Sequence, residues 1–126
     1  MMLAVVDDLF FLSKIQQTAQ HLGLTVKSAG PADLPELAGE KVPSALILDL
    51  NHRSGKALEL LSTLKSNPKT KDIAIIGFVS HVQTDHIARA REAGCDLVLA
   101  RSAFVSQLPS LLQRFSGTEN GSGVNE

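Results

Sequence analysis

The chain has 126 residues, with 12 Lys and Arg against 13 Asp and Glu and a net charge of −1. That length fits a single domain able to bury a core, and the balanced charge gives no electrostatic argument for nucleic acid or an anionic membrane surface. Cys95 is the only cysteine, which excludes an internal disulfide framework and a multi-cysteine metal motif and fits a reducing cytoplasm.

Leu3–Val6 is a short apolar run of the kind a buried parallel strand needs, and it ends in Asp7-Asp8. Phe11, Leu12, Ile15, Ala19 and Leu22 then recur at helical spacing, and Gly23 stops the helix. Leu24–Ala29 alternates as a second strand, Gly30-Pro31 turns the chain, and Ala32–Ala38 reads as a short helix cut down by Pro35. Ala45–Asp49 is a third strand that again ends in a carboxylate. Lys56–Ser66 is a helix with Leu58, Leu60, Leu61 and Leu64 on one broad face, broken by Asn67-Pro68. Ile73–Val79 is a fourth strand, Asp85–Ala93 a helix ended by Gly94, and Cys95–Ala100 a fifth strand. Ala103–Phe115 is the last helix, with Pro109 as an expected kink. Gly, Ser, Asn and Glu dominate from Ser116, so 116–126 is expected to be a disordered tail behind a folded unit of 1–115. No apolar run reaches the ~18 residues of a membrane span, and a start that meets two acids without a basic flank is expected to carry no secretory signal.

Five strands alternating with five helices predict an α/β fold: a parallel sheet with helices on both faces. The flavodoxin-like strand order 2-1-3-4-5 fits the right-handed crossover rule, and it places the crevice between the tips of strands 1 and 3. Asp7, Asp8 and Asp49 are then expected to converge. Two unit charges ~5 Å apart repel by roughly 3 kcal/mol at an effective dielectric near 20, so such a crevice needs a proton or a cation. Magnesium takes carboxylates, water and phosphoryl oxygens, and an Asp can attack phosphorus to form an aspartyl-phosphate. Arg101, just beyond strand 5, would neutralise the transferred group.

The runs Val5-Val6-Asp7-Asp8, Leu46-Ile47-Leu48-Asp49 and Ala93-Gly94-Cys95-Asp96, with the basic Arg101, make residues 1–115 resemble a response-regulator receiver domain of the CheY-like superfamily. The resemblance implies Mg2+ held by Asp7, Asp8, Asp49 and the main-chain carbonyl of Asn51, with Asp49 as phospho-acceptor. It implies a role in two-component phosphorelay signalling rather than an enzyme. A histidine kinase or phosphotransfer protein would be the phosphoryl donor, a downstream protein the target, and no nucleic acid or membrane a partner. A homodimer surface would lie on the face formed by the fourth helix, fifth strand and fifth helix, including Ile87, Arg91 and Phe104.

Several positions depart from the family pattern. Counting back from Gly94 places Val79 where the family has a hydroxyl, with Ser80 one step later as the alternative donor. The family lysine is Arg101, and the residue after it is Ser102 rather than proline. The aromatic switch position holds Val98, and the chain has no Tyr or Trp. Arg53 replaces a proline, and the family glycine arrives early as Gly55. These departures open a second reading, a pseudo-receiver acting as a phosphorylation-independent interaction module. A distant third is a cobalamin-type flavodoxin-like domain, because Asp49, His52 and Gly55 approximate an Asp-x-His-x-x-Gly motif with one residue too many. Cys95 is expected to be a small buried hydrophobe, and His21, His81 and His86 surface residues. His52 lies beside the crevice, where it could contact phosphate.

Overall fold

The computed structural model describes residues 1–81 and 83–117. Its elements run β1 (Met2–Val5), α1 (Leu9–His21), β2 (Val26–Ser28), α2 (Leu34–Glu40), β3 (Ala45–Asp49), α3 (Ala57–Ser66), β4 (Ala74–Val79), α4 (Thr84–Glu92), β5 (Leu97–Ala100) and α5 (Arg101–Arg114). All neighbouring strands are parallel, in the order β2-β1-β3-β4-β5 expected from the sequence. Among the described residues, no helix is long and apolar enough to cross a membrane.

Strand side chains alternate between the two faces, so each central strand feeds two cores. Met2, Ala4, Ala45, Ile47, Ile76 and Phe78 pack under α1 and α5 with Phe11, Ile15, Phe104 and Leu108. Leu3, Val5, Leu46, Leu48, Ile75 and Val79 pack against Leu34, Leu61, Leu64 and Ala90 on the other face. This is why β1, β3 and β4 read as continuous apolar runs: neither face meets water.

Several boundaries move for identifiable reasons. Leu24 N–H donates to the Ala19 carbonyl at 2.8 Å and so belongs to the turn that closes α1, which leaves β2 only three residues. Pro35 lies in the first turn of α2 rather than inside it, where its missing N–H costs nothing, so that helix begins later and runs on to Glu40. At the start of β5 the Asp96 carboxylate accepts Ile75 N–H at 2.7 Å, beside the main-chain bond from Asp96 N–H to the Ile75 carbonyl at 2.9 Å. α5 begins directly after β5 and runs through Pro109, whose ring cannot donate to the Val105 carbonyl. Ser116, assigned above to the tail, is packed, and its hydroxyl donates to the Gln113 carbonyl at 2.9 Å. Residues 118–126 of the expected tail lie outside the described residues. Phe104 is fully buried, so it is no part of the surface where the resemblance put it.

Gly77 sits mid-strand between Leu48 and Val98. A Cβ there would lie 2.8 Å from Leu50 Cδ1 and 2.9 Å from Cys95 Sγ, both buried and hemmed in. Gly77→Ala is therefore expected to cost about 1–3 kcal/mol through overpacking, read as a lower urea midpoint; an unchanged midpoint would mean that Leu50 and Cys95 have slack. Cys95 is buried as expected, and burial pushes its thiol up to about 11, a value that keeps it unreactive.

Candidate functional site

The site forms at the C-terminal tips of β1 and β3, which the sheet order makes neighbours. Asp8 is the N-cap of α1: its Oδ1 accepts the N–H groups of Phe10 at 2.9 Å and Phe11 at 3.1 Å. Its Oδ2 lies 2.9 Å from Arg101 Nη2. Arg101, with the helix-cap N–H groups, holds the Asp8 carboxyl below the ordinary 3.8. The Arg101 guanidinium also rests on the Phe11 ring, 4.0 Å from its centroid. Arg101, expected to neutralise a transferred group, is here engaged by Asp8, an acid expected to hold metal.

Asp7 is bound by the β3–α3 loop. Arg53 main-chain N–H donates to Asp7 Oδ2, while His52 Nε2 and Arg53 Nε lie 3.2 and 3.4 Å from Oδ1. Ser54 N–H donates to His52 Nδ1 at 3.2 Å. That nitrogen is therefore the acceptor, and the ring proton sits on Nε2, facing Asp7.

Asp49 closes the group. It is 6% exposed, and burial raises its pKa above 3.8, helped by the charge of Asp7. Asn51 N–H, donated to Oδ1 at 2.9 Å, works in the opposite direction. All three carboxylates were expected to converge; the charge of Asp7 acts on Asp49, while Asp8 is anchored to α1 and Arg101.

The register of β4 decides the hydroxyl position. Asp49 pairs with Phe78 across the β3–β4 ladder, so Phe78 shares its face and Val79 turns to the opposite core, where it is 2% exposed. Ser80 follows directly after the end of β4. Ser80 lines a cavity with Val79, Ala100, Arg101 and Ser102. The count from Gly94 points to Val79, whose side chain faces the second core. Val98, which the resemblance placed at an aromatic switch position, is buried.

Two contacts had no sequence signal. Asn51 Oδ1 accepts Ser80 N–H at 2.7 Å and His81 N–H at 3.3 Å, tying the β3 loop to the end of β4. His86, expected at the surface, is half-buried, with Nε2 donating to the Leu50 carbonyl at 2.6 Å. The first needs the β3–α3 loop to meet the end of β4 and the second needs α4 to meet the end of β3, neither of which local pattern encodes. His21 and His81 are exposed as expected.

The donor types, three carboxylates and a main-chain carbonyl, suit a hard divalent cation. In this structure both oxygens of Asp7 and of Asp8 already accept N–H groups or face cations. Among the described residues no three His, Cys, Asp or Glu side chains are gathered to hold a metal ion. The chemistry fits, and the ligands must exchange their present partners to use it.

No family model matches the chain, and no curated protein matches it. Solved structures do. The signal receiver domain of a DNA-binding response regulator from Colwellia psychrerythraea superposes with a TM-score of 0.78 at 22% identity, covering 90% of this chain and 94% of that one. Chemotaxis protein CheY4 of Vibrio cholerae gives 0.79 at 19% identity over 90% and 96%. A response regulator from Burkholderia pseudomallei, solved with a phosphorylated aspartic acid, a calcium ion and citrate, gives 0.71 at 19% over 98% and 76%. These likenesses show the fold: five parallel strands and five helices arranged as in CheY-like receiver domains.

Proposed function

We propose that this chain is a cytoplasmic receiver module of two-component phosphorelay signalling, with Asp49 as its phospho-acceptor. The observation that carries the proposal is a buried carboxylate at the tip of β3, raised in pKa by its burial and by Asp7. A histidine kinase or phosphotransfer protein would supply the phosphoryl group. The donor P–N bond breaks as a P–O bond forms to Asp49, and the group's oxygens would meet Ser80 and Arg101. Mg2+, held by Asp7, Asp8, Asp49 and the Asn51 carbonyl, would supply positive charge opposite those oxygens. The Burkholderia structure, with phosphorylated Asp and Ca2+ on the same fold, supports this assignment. Output would pass to a downstream protein, or to a second copy of the chain through a face including Ile87 and Arg91. The module itself is regulatory, not an enzyme.

One observation favours the pseudo-receiver reading. Arg101 is held on Asp8 and Phe11, and Asp7 on His52 and Arg53, so the crevice is neutralised by the chain's own groups. The cobalamin reading gains nothing, since both His52 ring nitrogens are engaged, by Asp7 and Ser54. Beryllofluoride with Mg2+ separates the first two readings. Amide signals of Asp49, Asn51, Ser80 and His81 are expected to shift saturably; an unchanged spectrum would assign the chain to the phosphorylation-independent class.

A further inference from the structure

The β3–α3 loop is bound to the acidic tip of β1 by three donors from two consecutive residues. Arg53 N–H holds Asp7 Oδ2, and His52 Nε2 and Arg53 Nε approach Oδ1 at 3.2 and 3.4 Å. His52 is nearly enclosed, whereas the Arg53 side chain is 85% exposed. The loop carries its own scaffold: His52 N–H donates to the Asp49 carbonyl at 3.1 Å, Gly55 N–H to the His52 carbonyl at 3.0 Å, and Lys56 N–H to the Ser54 hydroxyl at 3.1 Å. Gly55 at φ +71° takes the left-handed conformation that lets the chain reverse into α3. This turn is therefore a unit seated on Asp7, not a loose strand of chain.

A divalent cation coordinates a carboxylate oxygen at about 2.0–2.1 Å. It would take the lone pair that the His52 Nε2 proton now faces, and it would add positive charge beside the Arg53 guanidinium. Both cannot use Oδ1 fully at once. We propose that the Arg53 guanidinium and main-chain N–H, with the His52 ring N–H, form a built-in cap on Asp7, which a divalent cation must displace before it binds at the strand tips. The inference rests on the metal site proposed above and adds to it a competitor supplied by this chain.

The test is a Mg2+ titration of the full chain without any phosphoryl donor, followed by the amide signals of Asp7, Asp8 and Asn51. His52→Ala/Arg53→Ala, checked for folding by circular dichroism, is expected to bind Mg2+ roughly tenfold more tightly than the unaltered chain. Lys69→Ala removes the same charge from an exposed turn away from Asp7 and is expected to change affinity by no more than about twofold. Equal affinity in the double variant and the unaltered chain overturns the inference and leaves the metal site standing. A gain matched by Lys69→Ala also overturns it, because the effect would then be general electrostatics. Absence of Mg2+ binding in every form overturns the inference and the metal site together.

Discussion

Asp49→Asn is expected to abolish labelling by acetyl phosphate and Mg2+ while leaving the chain folded. The amide keeps an oxygen to accept Asn51 N–H, now met at 2.9 Å, and changes almost no volume in a position only 6% exposed. It lacks the nucleophilic carboxylate on which an acyl-phosphate forms. Intact mass should show one added phosphoryl group on the unaltered chain and none on the variant. Equal labelling of the two would place the modification elsewhere and remove Asp49 from the role. The variant carries a second expected result. The folded chain raises the Asp49 pKa above 3.8, so the unfolded chain gives up this proton first as pH rises. The folded form binds the extra proton between the two values, and stability from this group declines across that window. Above the folded value the full cost of a buried charge is present. Asp49→Asn should therefore unfold at a higher temperature than the unaltered chain at pH 7, and the gap should narrow as pH falls toward 3.8. A variant less stable at neutral pH would mean that favourable contacts of the ionised carboxylate outweigh its burial.

Phe78→Ala is expected to cost about 3–5 kcal/mol, a large part of the roughly 5–15 kcal/mol that holds a domain together. Phe78 is fully buried in β4. Its ring packs edge-on to Phe11 at 5.0 Å between centroids and stacks with Phe104 at 5.2 Å. Phe11 and Phe104 complete the triangle at 5.8 Å. Truncation leaves a cavity among three elements and loosens Phe11, the platform under the Arg101 guanidinium. The urea midpoint should drop sharply with little change in slope. Phe10, one residue from Phe11 and 90% exposed, is the contrast: Phe10→Ala should stay within about 0.5 kcal/mol. Comparable losses at the two positions would mean that the triangle is not the core of this face.

Much of this was legible along the chain because burial on both faces of a parallel sheet leaves a strong local mark. Leu46-Ile47-Leu48 and Ile75-Ile76 admit no amphipathic alternation, and Gly23 and Gly94, both at positive φ, close the helices where the pattern predicted. The strand order followed from the alternation of elements and the handedness of crossovers. Asp7 and Asp49 were brought together by that order alone. Other features were not legible. A count of residues from Gly94 could not locate the hydroxyl position, because one residue of difference in a connection reverses the face. Only the pairing of Asp49 with Phe78 shows that Val79 turns away from Asp49, into the opposite core. The resemblance put Phe104 on a dimer surface, whereas α5 begins at Arg101 and buries the ring completely.

The sequence by itself determined the class of fold, the sheet order and the acidic character of the strand tips, because these follow from periodicity, turn chemistry and the apolar demand of a doubly covered sheet. The tertiary structure alone decided what each polar side chain touches: Asp8 with Arg101, Asp7 with His52 and Arg53, Asn51 with Ser80 and His81, and His86 with the Leu50 carbonyl. The physical reason is range. Hydrophobic burial is non-directional and is encoded by every residue in a run, whereas a hydrogen bond or ion pair needs two particular groups within a few ångströms. Loops and helix ends distant in the chain set that distance through the sheet that carries them.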